Sequence, residues 1–214
     1  MNFQSFAQSP WILPVLPWLA TPIVLVYALR QRGFLRVWGV LFALLIACDG
    51  YASGAFTTVP PNTGWATFFS VGFVILGDFR YYWLVEQTRA PKRNPMLVLA
   101  LSVVLAFVVP LAAQFFRATT SISNDTRTTY LTYEALFLGF LMIYGFVLRR
   151  RKSLLERRLF AFELVQYVLW ASLDVLLLAT KADVLHLFRI IPDVLYYVVF
   201  IPFAIRTRKV ADAT

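Results

Sequence analysis

The chain has 214 residues, 60% of them hydrophobic, with a mean hydropathy of +0.70 and a formal net charge of +9. That composition excludes an ordinary soluble globule, and the single cysteine, Cys48, excludes an intrachain disulfide or a thiolate metal cluster. The basic excess does not signify nucleic-acid binding, because it sits in short gaps between apolar runs, where it faces anionic headgroups.

Seven runs, roughly 10–30, 37–56, 65–85, 95–116, 129–148, 159–179 and 187–205, each approach the length needed to cross a bilayer. A hydrocarbon core about 30 Å thick takes about 20 apolar helical residues. Residues 1–10 carry no basic segment and no small-residue cleavage site, so the first run reads as a retained span rather than a signal peptide. Pro60, Pro61, Asn62 and Gly64 mark the turn after the second run, and Pro91 and Pro95 bracket the turn before the fourth. The gap from Arg117 to Thr128 is rich in Ser, Thr and Asn, holds the glycosylation-type triplet Asn124-Asp125-Thr126, and reads as an external loop. The basic stretch Arg149–Arg158 reads as a solvated loop facing headgroups. Short gaps favour an up-down bundle with antiparallel neighbours. The expected fold is therefore an all-α polytopic membrane protein, a seven-transmembrane-helix bundle forming a single domain.

Basic residues fix the expected orientation. The odd-numbered gaps and the C-terminal tail hold Arg30, Arg32, Arg36, Arg89, Lys92, Arg93, Arg149, Arg150, Arg151, Lys152, Arg157, Arg158, Arg206, Arg208 and Lys209. The even-numbered gaps hold only Arg117, Arg127, Lys181 and Arg189. Short-loop Lys and Arg mark the cytoplasmic side, which places the amino terminus outside and the carboxy terminus in the cytoplasm. Compact size and minimal loops point to a bacterial inner membrane.

Ionisable residues within the spans are costly and mark candidate sites. At about 1.5 Å of rise per residue, Asp49, Glu134, Asp174 and Asp193 all fall roughly 8–10 Å below the outer boundary. Four acids at one depth suggest an outward-open polar pocket. On the seventh span His186, Arg189, Asp193 and Tyr196 or Tyr197 recur on one helical face, and on the sixth Glu163, Gln166, Tyr167, Trp170 and Asp174 do the same. Arg189 stands one turn from Asp193 and can compensate part of its charge. Trp170, Tyr196 and Tyr197 would form the aromatic wall. Asp78, Arg80 and Glu163 suggest an inner polar cluster, with Arg80 reaching Glu163 or snorkelling to the surface. The segment Arg80-Tyr81-Tyr82-Trp83 has the composition of an interfacial aromatic belt.

One histidine excludes a multi-histidine zinc site, and the absence of lysine from His186–Ile205 excludes covalent retinal. No cofactor is expected, although carboxylates leave a hard-cation site open. Phe69-Ser70-Val71-Gly72-Phe73-Val74-Ile75-Leu76-Gly77-Asp78 resembles the small-residue, Gly-Asp signature of the YhhN-type family. Ala171-Ser172-Leu173-Asp174-Val175-Leu176-Leu177-Leu178-Ala179, followed by Pro192 and Tyr196-Tyr197, is similar to that family as well. Some of its members are lysoplasmalogenases, which hydrolyse the vinyl-ether bond of lysophospholipids. The resemblance implies that Asp78 and Asp174 are the acid and base of a lysolipid hydrolase. The chain lacks the family's early Lys-Pro pair, its middle-helix histidine and an eighth span.

The functional expectation is a membrane-embedded acidic pocket for a small molecule or lipid, with enzymatic status open. The partners are membrane lipids and a small ligand, not nucleic acid. Two alternatives remain from the sequence: a sensor or transporter of a small cationic or polar ligand without catalysis, and a structural subunit of a membrane complex. Oligomeric state is not legible.

Overall fold

A computed structural model describes residues 6, 9, 11–12, 14–58, 64–89, 93–120, 126–148 and 153–213, excluding the side chains of 64, 66, 67, 70, 126 and 210–213. All regular secondary structure among the described residues is helical: α1 (Val15–Leu29), α2 (Gly33–Ala52), α3 (Gly64–Arg89), α4 (Pro95–Thr119), α5 (Thr126–Met142), α6 (Leu154–Thr180), α7 (Leu185–Phe188), α8 (Ile190–Val194) and α9 (Phe200–Ala213). Wide π turns follow α5 at Ile143–Leu148 and join α8 to α9 at Leu195–Val199.

Five helical stretches are long and apolar enough to cross a membrane: Gly33–Ala52, Pro95–Thr119, Arg127–Leu148, Leu154–Thr180 and Leu185–Lys209. Seven were expected. The first expected span is represented by a 15-residue helix, because Pro14 stands at its N-cap and the helix begins only at Val15. The third runs for 26 residues and carries Asp78, Arg80, Glu86 and Arg89, which lower its apolar character. The turn residues 60–62 and 91, most of the proposed external loop with Asn124 and Asp125, and Arg149–Lys152 lie outside the described residues.

Helix boundaries follow local chemistry. Asn94 caps α4 by accepting from the Met96 N–H at 2.9 Å, with Pro95 at the first helical position, where its missing N–H costs nothing. Ser153 and Glu156 form a reciprocal capping box at the start of α6. The same helix ends at Lys181, whose φ of 53° is left-handed and unfavourable for a residue with a Cβ.

The chain forms two compact units, Met1–Arg80 with Asp193–Thr214, and Tyr81–Pro192. In the first, α1 packs along α2, and the second π turn and α9 pack on α1. A Cβ added at Gly39 would come within 2.7 Å of Ala28 Cβ and 3.9 Å of Ile201 Cγ2, so only glycine lets these helices approach so closely. Trp38, Phe42, Phe200 and Ile201 fill the core around that contact. Trp38 Nε1 donates to the Arg80 carbonyl at 3.2 Å, tying α2 to α3.

In the second unit α4 packs on α5, α5 on α6, and α6 on α7. Its interior is aromatic: Phe137 and Tyr167 stack with ring centres 3.9 Å apart, and Tyr82 sits 5.3 Å from Tyr144. Tyr81 and Tyr82 are 2% and 0% exposed, so they belong to this core and not to an interfacial belt. Packing against Tyr144 outweighs the pull of the headgroup layer on their hydroxyls.

Candidate functional site

Each unit holds one polar constellation within its apolar helices. In the first, Asp49 lies near the end of α2, Arg80 lies on α3, and Tyr196 and Tyr197 occupy the π turn before α9. That turn decides the geometry. The Phe200 N–H bonds back to the Leu195 carbonyl, one residue further than in an α-helix. Such a widened ladder can release a carbonyl to a side chain, and Arg80 Nη1 donates to the Tyr196 carbonyl at 2.8 Å.

The Arg80 guanidinium carbon lies 4.5 Å from the Tyr196 ring centre and 4.0 Å from that of Phe200. Arg80 is 2% exposed, so it does not snorkel. The other expected destination, Glu163, is a buried residue of the second unit. The Nε and Nη2 groups of Arg80 have no protein partner. These two donors share one edge of the guanidinium plane, the edge that takes two acceptor atoms side by side.

Tyr196 is held in turn. Its hydroxyl donates to the Phe73 carbonyl at 3.1 Å, and its ring lies where a Cβ on Gly77 would stand. Tyr197 donates its hydroxyl to Asp49 Oδ2. Asp49, Gly77, Arg80, Tyr196 and Tyr197 line one cavity together with Phe42, Leu45, Ile46, Phe73 and Leu76. The space is about 280 Å³ counted out to its open mouth, and the part of it that the centre of a water molecule can reach is about 20 Å³. That suits an occupant of very few heavy atoms. Asp78 and Asp193 also belong to this unit, the former buried and the latter half-buried.

The second constellation gathers around Asp174, which is 0% exposed. Its Oδ1 accepts from Arg189 Nη1 and from Arg127 Nη1, the latter at 3.2 Å, while its Oδ2 has no hydrogen-bond partner. Arg189 Nη2 also lies 4.0 Å from Glu134 Oε1, and Arg127 Nη2 lies 3.4 Å from His186 Nδ1. Two arginines and two carboxylates balance in charge, which makes their burial tolerable. Arg189 thus joins α5 and α6 through Glu134 and Asp174. Deeper in the unit, Glu163 and Gln166 are buried, Trp170 packs its ring 5.3 Å from Tyr167, and Tyr144 donates to Glu86 Oε1 at 2.6 Å.

The candidate residues therefore fall into separate units: Asp49, Asp78, Arg80, Asp193, Tyr196 and Tyr197 in the first, Glu134, Glu163, Trp170, Asp174 and Arg189 in the second. Three participants escaped the sequence reading. Arg127 reads as an ordinary cation of an outer gap, yet it stands seven residues before Glu134 and so on the same helical face. Glu86 stands one turn beyond Tyr82, and Tyr144 sits in an apolar run that gives its hydroxyl no visible partner. Among the described residues no three His, Cys, Asp or Glu side chains group closely enough to hold a metal ion.

No family model, no curated protein and no solved structure matches this chain.

Proposed function

We propose that the chain is a seven-span integral membrane protein of a bacterial inner membrane, amino terminus outside and carboxy terminus in the cytoplasm, that binds a small polar molecule. The span count and orientation are supported by the alternation of basic and nearly neutral gaps. The binding reading is carried by one observation. Arg80 is buried, lines a cavity shared with Asp49, and keeps two adjacent N–H donors without a protein acceptor. A buried donor left without an acceptor costs about 1–3 kcal/mol, more when charged, so retaining two of them calls for a compensating role.

The chemistry of the walls restricts the ligand. Arg80 offers a paired donor edge and Asp49 an acceptor, with apolar side chains closing the remainder. A net-neutral ligand with an acceptor group at one end leaves the charge balance of the cavity unchanged, and the space suits only a few heavy atoms. Neither Asp78 nor Asp174, the residues that the family resemblance names, lines this cavity, and binding without turnover is the reading it supports.

The test is thermal stability of the purified chain against glycine, acetate and urea, beside a turnover assay on vinyl-ether and ester lysophospholipids. Stabilisation by one of the small probes with no lysolipid product is the expected outcome. Product formation abolished by Asp78→Asn or Asp174→Asn in a folded protein would replace this reading with the hydrolase that the family resemblance implies.

A further inference from the structure

Arg80 and Asp49 line one cavity with opposite charges, yet they form no ion pair with each other. Among the described residues no carboxylate pairs with Arg80 at all. Its contacts are the Tyr196 carbonyl and the rings of Tyr196 and Phe200. These offset part of the cost of burying a guanidinium but supply no counter-charge. The open Nε–Nη2 edge therefore calls for an anionic group.

Asp49 stands differently. It is half-buried, whereas Arg80 is buried, so the acid lies nearer to solvent than the cation. Tyr197 donates its hydroxyl to Oδ2, and no described group donates to Oδ1. The π turn at Leu195–Val199 thus positions both charges, holding Arg80 through the Tyr196 carbonyl and Asp49 through the Tyr197 hydroxyl.

The two ends select different chemistry. Nε and Nη2 present two parallel N–H groups, which match the two oxygens of a carboxylate better than the single oxygen of an amide or urea. A bare carboxylate would leave its far end against Asp49 and give the cavity an uncompensated negative charge. A cationic group with N–H donors at that far end satisfies Asp49 Oδ1 and restores neutrality. Between the two ends the wall is formed by Phe42, Ile46, Phe73 and Leu76, which offer a ligand no further polar side chain.

We infer that the ligand is a small zwitterionic amino acid, its carboxylate on Arg80 and its ammonium on Asp49. The inference rests on the proposed binding at Arg80 and narrows it from a polar molecule to one that carries both charges.

The test is isothermal titration calorimetry of the purified full chain with glycine, propionate, glycinamide and urea. Propionate keeps the shape of glycine with a methyl group in place of the ammonium, and glycinamide keeps the ammonium but exchanges the carboxylate for an amide. Glycine should bind about tenfold more tightly than each of the others, the effect of losing one charged hydrogen-bonding end. Propionate, glycinamide or urea binding as tightly as glycine would overturn the inference and leave the broader reading of a small polar ligand in place. Saturable binding of none of the four would sink both. Asp49→Asn should weaken glycine about tenfold and let propionate bind at least as tightly as glycine. A folded Asp49→Asn protein that still prefers glycine would also overturn the inference. The ranking of the four probes on the unaltered chain decides the matter by itself if that variant does not fold.

Discussion

Arg80 and Tyr196, 116 residues apart in sequence, are joined by a 2.8 Å hydrogen bond from the guanidinium to a main-chain carbonyl. The bond belongs to a particular backbone state, because the acceptor lies in a π turn whose widened ladder can spare a carbonyl. The Tyr196 ring then lies close enough for a cation–π contact, and its hydroxyl returns to the Phe73 carbonyl of α3. One residue thus meets α3 through its carbonyl, its ring and its hydroxyl.

The arrangement leaves no room for a side chain at Gly77. Gly77→Ala places a methyl group inside the Tyr196 ring and is expected to cost about 1–3 kcal/mol by overpacking. Combining it with Tyr196→Ala removes the clash, so the double variant should lose less stability than the sum of the two single variants. Unfolding of all three in the same detergent measures the coupling.

The buried carboxylate of Asp174 is shared by two arginines. Asp174→Asn leaves Arg127 and Arg189 without their shared acceptor charge and should cost about 3 kcal/mol. Arg127→Gln should cost less, because Arg189 remains on Asp174 Oδ1. Equal losses in the two variants, measured by thermal unfolding, would show that the arginines do not share the carboxylate.

Tyr144→Phe keeps the ring in its aromatic cluster and deletes only the donor to Glu86. The expected loss is about 1–3 kcal/mol, that of a buried hydrogen bond to a carboxylate. Near-ultraviolet circular dichroism should stay close to wild type, apart from the changed chromophore, if the ring packing is retained.

Lys181 ends α6 in a left-handed conformation that glycine adopts without strain. Lys181→Gly should therefore raise stability by up to about 1 kcal/mol, read as a higher melting temperature.

The apolar runs made the helices legible, but the caps at Asn94 and at Ser153–Glu156 were not read: Pro95 served only as a turn marker, and the stretch Arg149–Arg158 was expected to be loop, whereas α6 begins at Leu154. The face of α6 carrying Glu163, Gln166, Tyr167, Trp170 and Asp174 is visible from spacing alone; four of the five side chains are buried and Trp170 is half-buried. What the residues do with one another was less legible. Nothing in the apolar sequence around Tyr196 announces a π turn, so its carbonyl could not be named as the acceptor of Arg80. Composition also placed Tyr81 and Tyr82 in a belt, because a headgroup layer and an aromatic core favour the same side chains. Arg127 was hidden by its position in a gap, where position argues for solvent and only its seven-residue spacing to Glu134 argues otherwise.

The most direct test of the central claim is the ¹H–¹⁵N resonance of Arg80 Nε in the labelled protein, assigned by its disappearance in Arg80→Lys. The account predicts a protected signal that moves in a saturable manner when glycine, acetate or urea is added. A signal indifferent to all three probes would contradict it, and Arg80 would then be a structural tether of the π turn rather than the floor of a binding site.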